Sequence, residues 1–580
     1  MKHFWKYCLC MVLLGAASCN ELNDPDSPDN PGEVDFLPTF DYEIYGWHDE
    51  TATDAAQDII GTDAGIYYEA NTFSHIVRVT YNGANAEVSS NNSNIISHVE
   101  GAYVTIDMLT HAVSGVEIVL QGETTDGALK VYGNNKYKLT LNGVRIESQR
   151  GAAINNQCKK AVFIHLADGY YNSLADATTY TGDTYYINPS AQEDCKACFF
   201  SEGNMLFSGT GVLKIAGRYN HAIATDDFLN LRPGSTILIT EAAKNGIQAK
   251  GDNKTLLGIN IMGGLIYANV ASPAGKALKS DLAINVQGGQ LLLNVSGDGD
   301  YDATKNDTSS AACIKTDTNL SISGGKHTLK STGLGGKGIN ADGAIVINGG
   351  ETTVSTSGAD YIYSSTIGSS PKAVKAVGNI TINGGIFNVS AAGESDGAEG
   401  LDCAGILTIN GGETFVHAYD DAVNISTAIN IANGKIYAYS VTKDGIDTNG
   451  TLTVNGGITI GVGSSNSKSG IKVSESSKFV VNGGTVISLG GAMESEQSSA
   501  SAQYGASCKV SSAKTGETLS AVGSNEHVAF SLKVPRYFTN ETAYFSTPGV
   551  SNEATYTATT ELTPSTNNNW CGLIIAQTIF

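Results

Sequence analysis

From about residue 263 onward, apolar and polar positions alternate in short runs that end in Gly-Gly: INIMGG, INVQGG, LSISGG, IVINGG, ITINGG, LTINGG, the degenerate INIANG, LTVNGG and FVVNGG. The first-glycine position of each unit, held by Asn at 433, falls at 263, 288, 324, 349, 384, 411, 433, 456 and 483, so the intervals are 25, 36, 25, 35, 27, 22, 23 and 27 residues. This is one repeating period with two insertions of roughly ten residues. Side chains alternate between the two faces of a strand, so each Gly-Gly is bracketed by two strands whose inward positions can be read off. After the glycines, Ile266, Leu291, Phe387 and Ile436 share one inward column, and Leu293, Leu329, Val354, Val389 and Val416 the next. A third short segment precedes each unit (KALKSD, CIKTD, KGINAD, KAVKAV, EGLDCA, DAVNIS, DGIDTN, SGIKVS), its central Leu, Ile or Val pointing in.

Three short strands per period cannot bury their apolar faces alone. Stacking equivalent periods at strand spacing, about 4.8 Å, buries a continuous apolar column. The pattern predicts an all-β chain built as a parallel β-helix, a solenoid with small β caps at both ends. Residues 131–490 form the helix, 37–130 an N-terminal cap with strand-like runs such as HIVRVTYNG and YVTIDM, and 491–580 a C-terminal β module with HVAFSLKVP and TYTATTEL. An uncovered end would expose unpaired strand edges. Asn precedes Gly-Gly at 348, 383, 410, 455 and 482, where it suits a left-handed turn position.

Composition agrees with short turns between strands, with 67 Gly against 11 Pro in 580 residues. Residues 1–18 read as a lipoprotein signal: Lys2 and Lys6, then an apolar run too short to span a bilayer, then LLGAASC. Cys19 becomes the acylated first residue, and 19–36, acidic and Pro-rich, a flexible tether. The expected location is that of an exported lipoprotein at the outer membrane or cell surface, touching membrane through the lipid anchor only. A net charge of −22 excludes nucleic acid as a partner, because a polyanion needs a basic surface, and leaves neutral glycans unrestricted. Among the cysteines, CKAC at 195–198 is a lone CxxC, Cys313 and Cys403 sit at small-residue positions of the repeat, and Cys508 with Cys571 is the pair to test as a disulfide.

The third-segment column carries candidate chemistry. Two positions before its inward apolar residue stand Glu399, Asp421 and Asp444, and just after it Asp402, Asn424 and Asp447; Asp420 adds a carboxylate. Carboxylates stacked about 5 Å apart repel by roughly 3 kcal/mol at an effective dielectric near 20, a penalty a bound cation removes. Ca²⁺ fits oxygen donors in flexible geometry, whereas the thiolates and imidazoles zinc prefers are missing from this set. The bland reading is solvated turn residues neutralised by Lys375 and Lys472 in the same column. Beside the acids, alternation turns Phe415, His417, Tyr419, Tyr437 and Tyr439 outward as a ladder on which sugar rings can pack. In the first insertion, SGDGDYDATKND places Asp298, Asp300 and Asp302 like an EF-hand opening, but Ala303 and Ser309 occupy its glycine and last-ligand positions.

The stretches LNGVRIESQRGAAINNQCKKAVFIHLADGYYNSLADA and EDCKACFFSEGNMLFSGTGVLKIAGRYNHAIATDD, with the DGIDTNGTLTVNGG type of unit, resemble a bacterial carbohydrate-binding parallel β-helix family that takes cellulose and polygalacturonate and is similar in fold to pectate lyases. The likeness covers roughly residues 75–490. It implies a right-handed, calcium-binding β-helix with metal at Glu399–Asp402, Asp420–Asn424 and Asp444–Asp447. The chain departs from the pattern at Lys244-Asn245 and at Val377, where the family carries acids. The expected function is a surface-anchored, calcium-binding polysaccharide-binding protein. The alternatives are a calcium-dependent lyase, needing a base among Lys375, Lys443 and Lys472, and a non-enzymatic adhesive stalk.

Overall fold

The computed structural model describes residues 65–181, 193–252, 256–475, 478–495, 497–562, 570 and 573–575. The leader, Cys19, the tether and Cys571 lie outside the described residues. Among the described residues the secondary structure is β throughout, apart from a 3-10 turn at Tyr68–Ala70, and no helix is long and apolar enough to cross a membrane. The chain divides into two compact bodies, residues 36–398 and residues 399–580.

In the first body the three segments of each period are three strands, and each pairs in parallel with its counterpart one period on. After the glycines, Gln290–Val295, Lys326–Ser331, Glu351–Thr356 and Ile386–Ala391 run in unbroken register, so Leu291, His327, Thr352 and Phe387 form one column and Leu293, Leu329, Val354 and Val389 another. Before them, Ile284, Leu320, Ile345 and Ile380 align, and in the third segment Leu278, Ile314, Ile339 and Val374. The inward columns are buried as the alternation requires. His327 is admitted because its ring Nε2 bonds the Gly324 carbonyl at 2.8 Å, and burial holds its pKa below the ordinary value. Parallel pairing begins well before residue 131: His75–Asn82 already pairs in parallel with Val116–Thr124, and Ala102–Asp107 with Gly127–Tyr132.

The turn after each strand depends on the second glycine. Gly289, Gly325, Gly350 and Gly385 all have φ between 81° and 93°, a region closed to most L-residues. The preceding asparagines, expected in that conformation, do not take it. Their amides stack instead, with Asn383 Nδ2 donating to Asn348 Oδ1 at 2.8 Å, and Asn482 Nδ2 to Asn455 Oδ1 at 2.8 Å in the second body.

The second body continues the same pairing. Leu407, Ile429, Leu452 and Phe479 align before the glycines, and Leu401, Val423, Ile446 and Ile471 in the third segment. It ends in antiparallel pairing, where Phe538–Ser546 pairs with both Thr485–Gly490 and Ala506–Ala513. Thr518–Gly523, Val528–Lys533, Tyr556–Thr559 and Leu573–Ile575 make a four-stranded antiparallel sheet. Cys313 and Cys403 are buried as small core residues. Cys508 is a reduced thiol whose burial pushes its pKa up to about 12. Cys198 of the CxxC is also buried, and its pKa is pushed well above the thiol range, the reverse of a reactive or metal-binding thiol.

Candidate metal and carbohydrate sites

The acidic segments EGLD, DAVN and DGID share a small second residue for a steric reason. A Cβ on Gly445 would lie 2.6 Å from the Gly470 carbonyl oxygen, and one on Gly400 would lie 2.2 Å from Val416 Cγ1. The backbone therefore passes close to its neighbour, the third residue points inward, and the flanking polar residues are carried on the outside. Parallel register places Asp402, Asn424, Asp447 and Lys472 in one row, as the spacing predicts.

Of the seven predicted ligands, three converge. Carboxylate oxygens of Asp421, Asp444 and Asp447 all lie within 4.8 Å of one another. Asp444 is buried, and its Oδ1 accepts from the Ser469 backbone N–H at 2.7 Å and the Ser469 hydroxyl at 3.3 Å. Its own N–H donates to Asp421 Oδ1 at 2.9 Å. Glu399 and Asn424 meet each other, Asn424 Nδ2 donating to Glu399 Oε1 at 2.8 Å. Asp420 is buried and Asp402 half-buried, and neither belongs to the convergent trio.

Two lysines face the trio. Lys472 Nζ lies 2.9 Å from Asp447 Oδ2 and 3.9 Å from Asp444 Oδ2, and Lys468 Nζ lies 3.9 Å from Asp444 Oδ2. Lys468 and Ser469 were not singled out from the sequence, although they stand one period after Asp444, where the repeat itself points. Burial pushes the Asp421 pKa up to about 7, with the charges of Asp420, Asp447 and Asp444 adding to it and the Asp444 N–H opposing. Asp444 is also raised by burial, against the Ser469 N–H and the two lysines. Burial pulls Lys472 down, but its bond to Asp447 and the charges of Asp447, Asp444 and Glu494 together outweigh that and hold it above the ordinary lysine value. The donors are hard oxygens from three carboxylates against two ammonium groups, a set that suits a hard divalent cation such as Ca²⁺. Asp421, Asp444 and Asp447 are the residues that could hold it.

The aromatic ladder needs correcting. Phe415 pairs across from Tyr437 and His417 from Tyr439, as predicted, but Tyr437 is only 1% exposed and Tyr439 9%. Both belong to a buried cluster with Ile487, Leu489, Val510, Phe538 and Phe545, strands that close the C-terminal end of this body. Phe415 packs on Trp570 with ring centroids 5.3 Å apart, and His417 stacks on Tyr439 at 5.2 Å, its pKa lowered by burial to about 4. Only Phe415, His417 and Tyr419 stay half-exposed. The ladder's outward face is a packing face, and no open platform runs along it.

Comparison with known proteins adds three findings. A family model described as carbohydrate-binding domain-containing protein matches residues 100–252, 234–360 and 363–445, together more than half of the chain. A carbohydrate-binding domain-containing protein of Acetivibrio thermocellus is 28% identical over 116 residues, which is 20% of this chain and 39% of the relative, so the chain spans well under half of that relative's length. A solved structure described as the polysaccharide lyase-like protein from C. thermocellum, in a gadolinium derivative, is 19% identical over 57% of this chain and 96% of its own, with a TM-score of 0.30, too slight a likeness to carry an argument. On the three successive family matches, the chain belongs to the carbohydrate-binding domain-containing protein family.

Proposed function

We propose that this protein is an exported lipoprotein, anchored through Cys19 at the outer membrane or cell surface, that binds polysaccharide along a right-handed parallel β-helix. The observation that carries the binding reading is the threefold family match across 100–445. The β-helix is supported by three strands per period, each pairing in parallel with its counterpart within each body. Calcium at Asp421, Asp444 and Asp447 is supported by their convergence, and its role is to relieve like-charge repulsion and tie successive periods together. Lys472 is ion-paired and held protonated, a poor general base, so binding without catalysis is the function proposed.

The test is retention of the purified chain on cellulose, on polygalacturonate and on a panel of other glycans, with calcium and with EDTA. Retention on at least one glycan, without ultraviolet-absorbing unsaturated uronides appearing, is the expected result. Failure on every glycan in both conditions overturns the binding reading, and release of unsaturated uronides overturns the non-catalytic one. Metabolic labelling with palmitate, lost in Cys19→Ala, checks the anchor.

A further inference from the structure

The two insertions that break the period are built into one object. After the strand Gln290–Val295 the chain forms a hairpin, Asp300–Asp302 against Asp307–Ser309; after Glu351–Thr356 it forms another, Tyr361–Ile362 against Gly368–Ser369. Between them the uninterrupted period closes through residues 332–336, which shows that the fold does not need either hairpin. Both are stitched to that short loop: Gly299 N–H donates to the Leu334 carbonyl at 2.8 Å, Leu334 N–H to Asp298 Oδ1 at 2.8 Å, and Gly335 N–H to the Ala359 carbonyl at 2.7 Å. They are also stitched to each other. Thr308 Oγ1 donates to the Gly368 carbonyl at 3.1 Å, the Ser310 and Ser369 hydroxyls meet at 2.7 Å, and the rings of Tyr301 and Tyr363 stack at 4.0 Å with an interplanar angle of 2°. Lysines anchor the bases, Lys276 Nζ to Ser309 Oγ at 2.8 Å and the buried Lys337 Nζ to Ser369 Oγ at 2.9 Å.

This well-tied lobe nevertheless leaves apolar side chains in water. Ile362 is 73% exposed, Tyr363 53% and Leu334 41%. Stacking on Tyr301 occupies one face of the Tyr363 ring and leaves the other outward, with little side-chain entropy left to lose on binding. The first hairpin, which carries Tyr301, has exposed Asp300 and Asp307 beside a single cation, Lys305. With a chain charge of −22, that favours an uncharged ligand rich in hydroxyls over an anionic one. Its aspartates are spent on local turns rather than aimed at a common point: Asp302 Oδ1 accepts from Thr304 N–H and Oγ1 at 3.0 and 2.6 Å, and Asp307 Oδ1 from Thr308 N–H at 2.7 Å.

We propose that the paired hairpins are a preorganised subsite for a neutral polysaccharide, in which the outer face of Tyr363, with Ile362 and Leu334, takes the apolar C–H face of a pyranose. This rests on the carbohydrate-binding reading and adds to it where the sugar sits and which charge class it has. The full chain, Tyr363→Ala, Tyr363→Phe and Ile362→Ser are compared on cello-oligosaccharides, xylan, glucomannan and polygalacturonate, with circular dichroism confirming that the exposed tip changes leave the fold intact. Affinity for a neutral glycan falls about tenfold in Tyr363→Ala, the size expected for a lost ring stack. It falls less in Ile362→Ser and is kept in Tyr363→Phe. A neutral glycan bound equally by wild type, Tyr363→Ala and Ile362→Ser overturns this subsite and leaves the general function standing, and so does binding confined to polygalacturonate. Silence of the wild type on every glycan overturns both.

Discussion

Replacing Asp421 with Asn separates the two roles its carboxylate can have, because the expected effect changes sign with calcium. Without a cation, Asp421 is an acid whose pKa lies at about 7 in the folded chain against 3.8 ordinarily. Its charged form is therefore disfavoured by folding. The penalty is absent below the ordinary pKa, grows as pH rises and is complete above the folded pKa. At about 1.4 kcal/mol per pKa unit the displacement corresponds to about 4 kcal/mol, which screening at a half-buried carboxylate reduces to about 2 kcal/mol. Asn keeps the acceptor for the Asp444 N–H and removes the charge. In EDTA at about pH 8, Asp421→Asn is thus expected to be more stable than wild type by about 2 kcal/mol, with the difference vanishing toward about pH 4. In excess calcium the order inverts. Wild type gains about 2.7 kcal/mol at a hundredfold excess over the dissociation constant, and a variant missing one of three carboxylates gains much less. Urea unfolding followed by fluorescence, at several pH values with calcium and with EDTA, reads both. A variant that is less stable than wild type in EDTA at the alkaline end refutes the buried-charge argument, and equal stabilisation of the two proteins by calcium refutes Asp421 as a ligand.

Tyr437→Ala is expected to cost about 3–5 kcal/mol, as removal of a buried aromatic does, and to lower the melting temperature. Loss of glycan retention with unchanged stability would instead restore the open-platform reading. Gly457→Ala places a Cβ 2.2 Å from the Gly434 carbonyl oxygen at a φ of +75°, so a loss of at least about 2 kcal/mol is expected. Gly151→Ala, with nothing within 4 Å of its added Cβ, serves as the control and should stay within about 0.5 kcal/mol of wild type in the same thermal melts.

Strand register was legible because two simple periods coincide in this chain. Alternation by two assigns each side chain to a face, and the Gly-Gly marker sets the phase between periods, so the row Asp402, Asn424, Asp447, Lys472 follows from counting alone. Counting also separates inward from outward, but outward does not mean exposed. Tyr437 and Tyr439 are covered by strands up to about a hundred residues further on, in a segment with no repeat to tie it to them. Convergence of the acids was legible only in part. Backbone spacing placed Glu399 and Asn424 as equivalents of Asp444 and Asp447, yet Asn424 carries an amide that donates, and it draws the Glu399 carboxylate to itself. The stacking of the two insertions was hidden for a related reason: unequal intervals of 36 and 35 residues reveal extra chain, and only side-chain geometry shows that two loops two periods apart meet ring to ring.

The stacked amides also bear on how the protein ages. Asn followed by Gly is the dipeptide most prone to deamidation, because the unhindered glycine nitrogen can attack the side-chain carbonyl. Asn348, Asn383, Asn455 and Asn482 all precede glycine, yet their amides are held in neighbouring pairs that fix the carbonyl's orientation. Exposed Asn82, before Gly83 in a hairpin turn, has no such clamp among its neighbours in a ladder. Peptide mapping of stored protein should therefore find conversion to aspartate at Asn82 before the four paired sites, and the reverse order would show that the pairing gives no protection. Once the donor of a pair, Asn383 or Asn482, becomes aspartate, a carboxylate faces the carbonyl it used to bond, so chemical wear at one turn also loosens the turn one period before it.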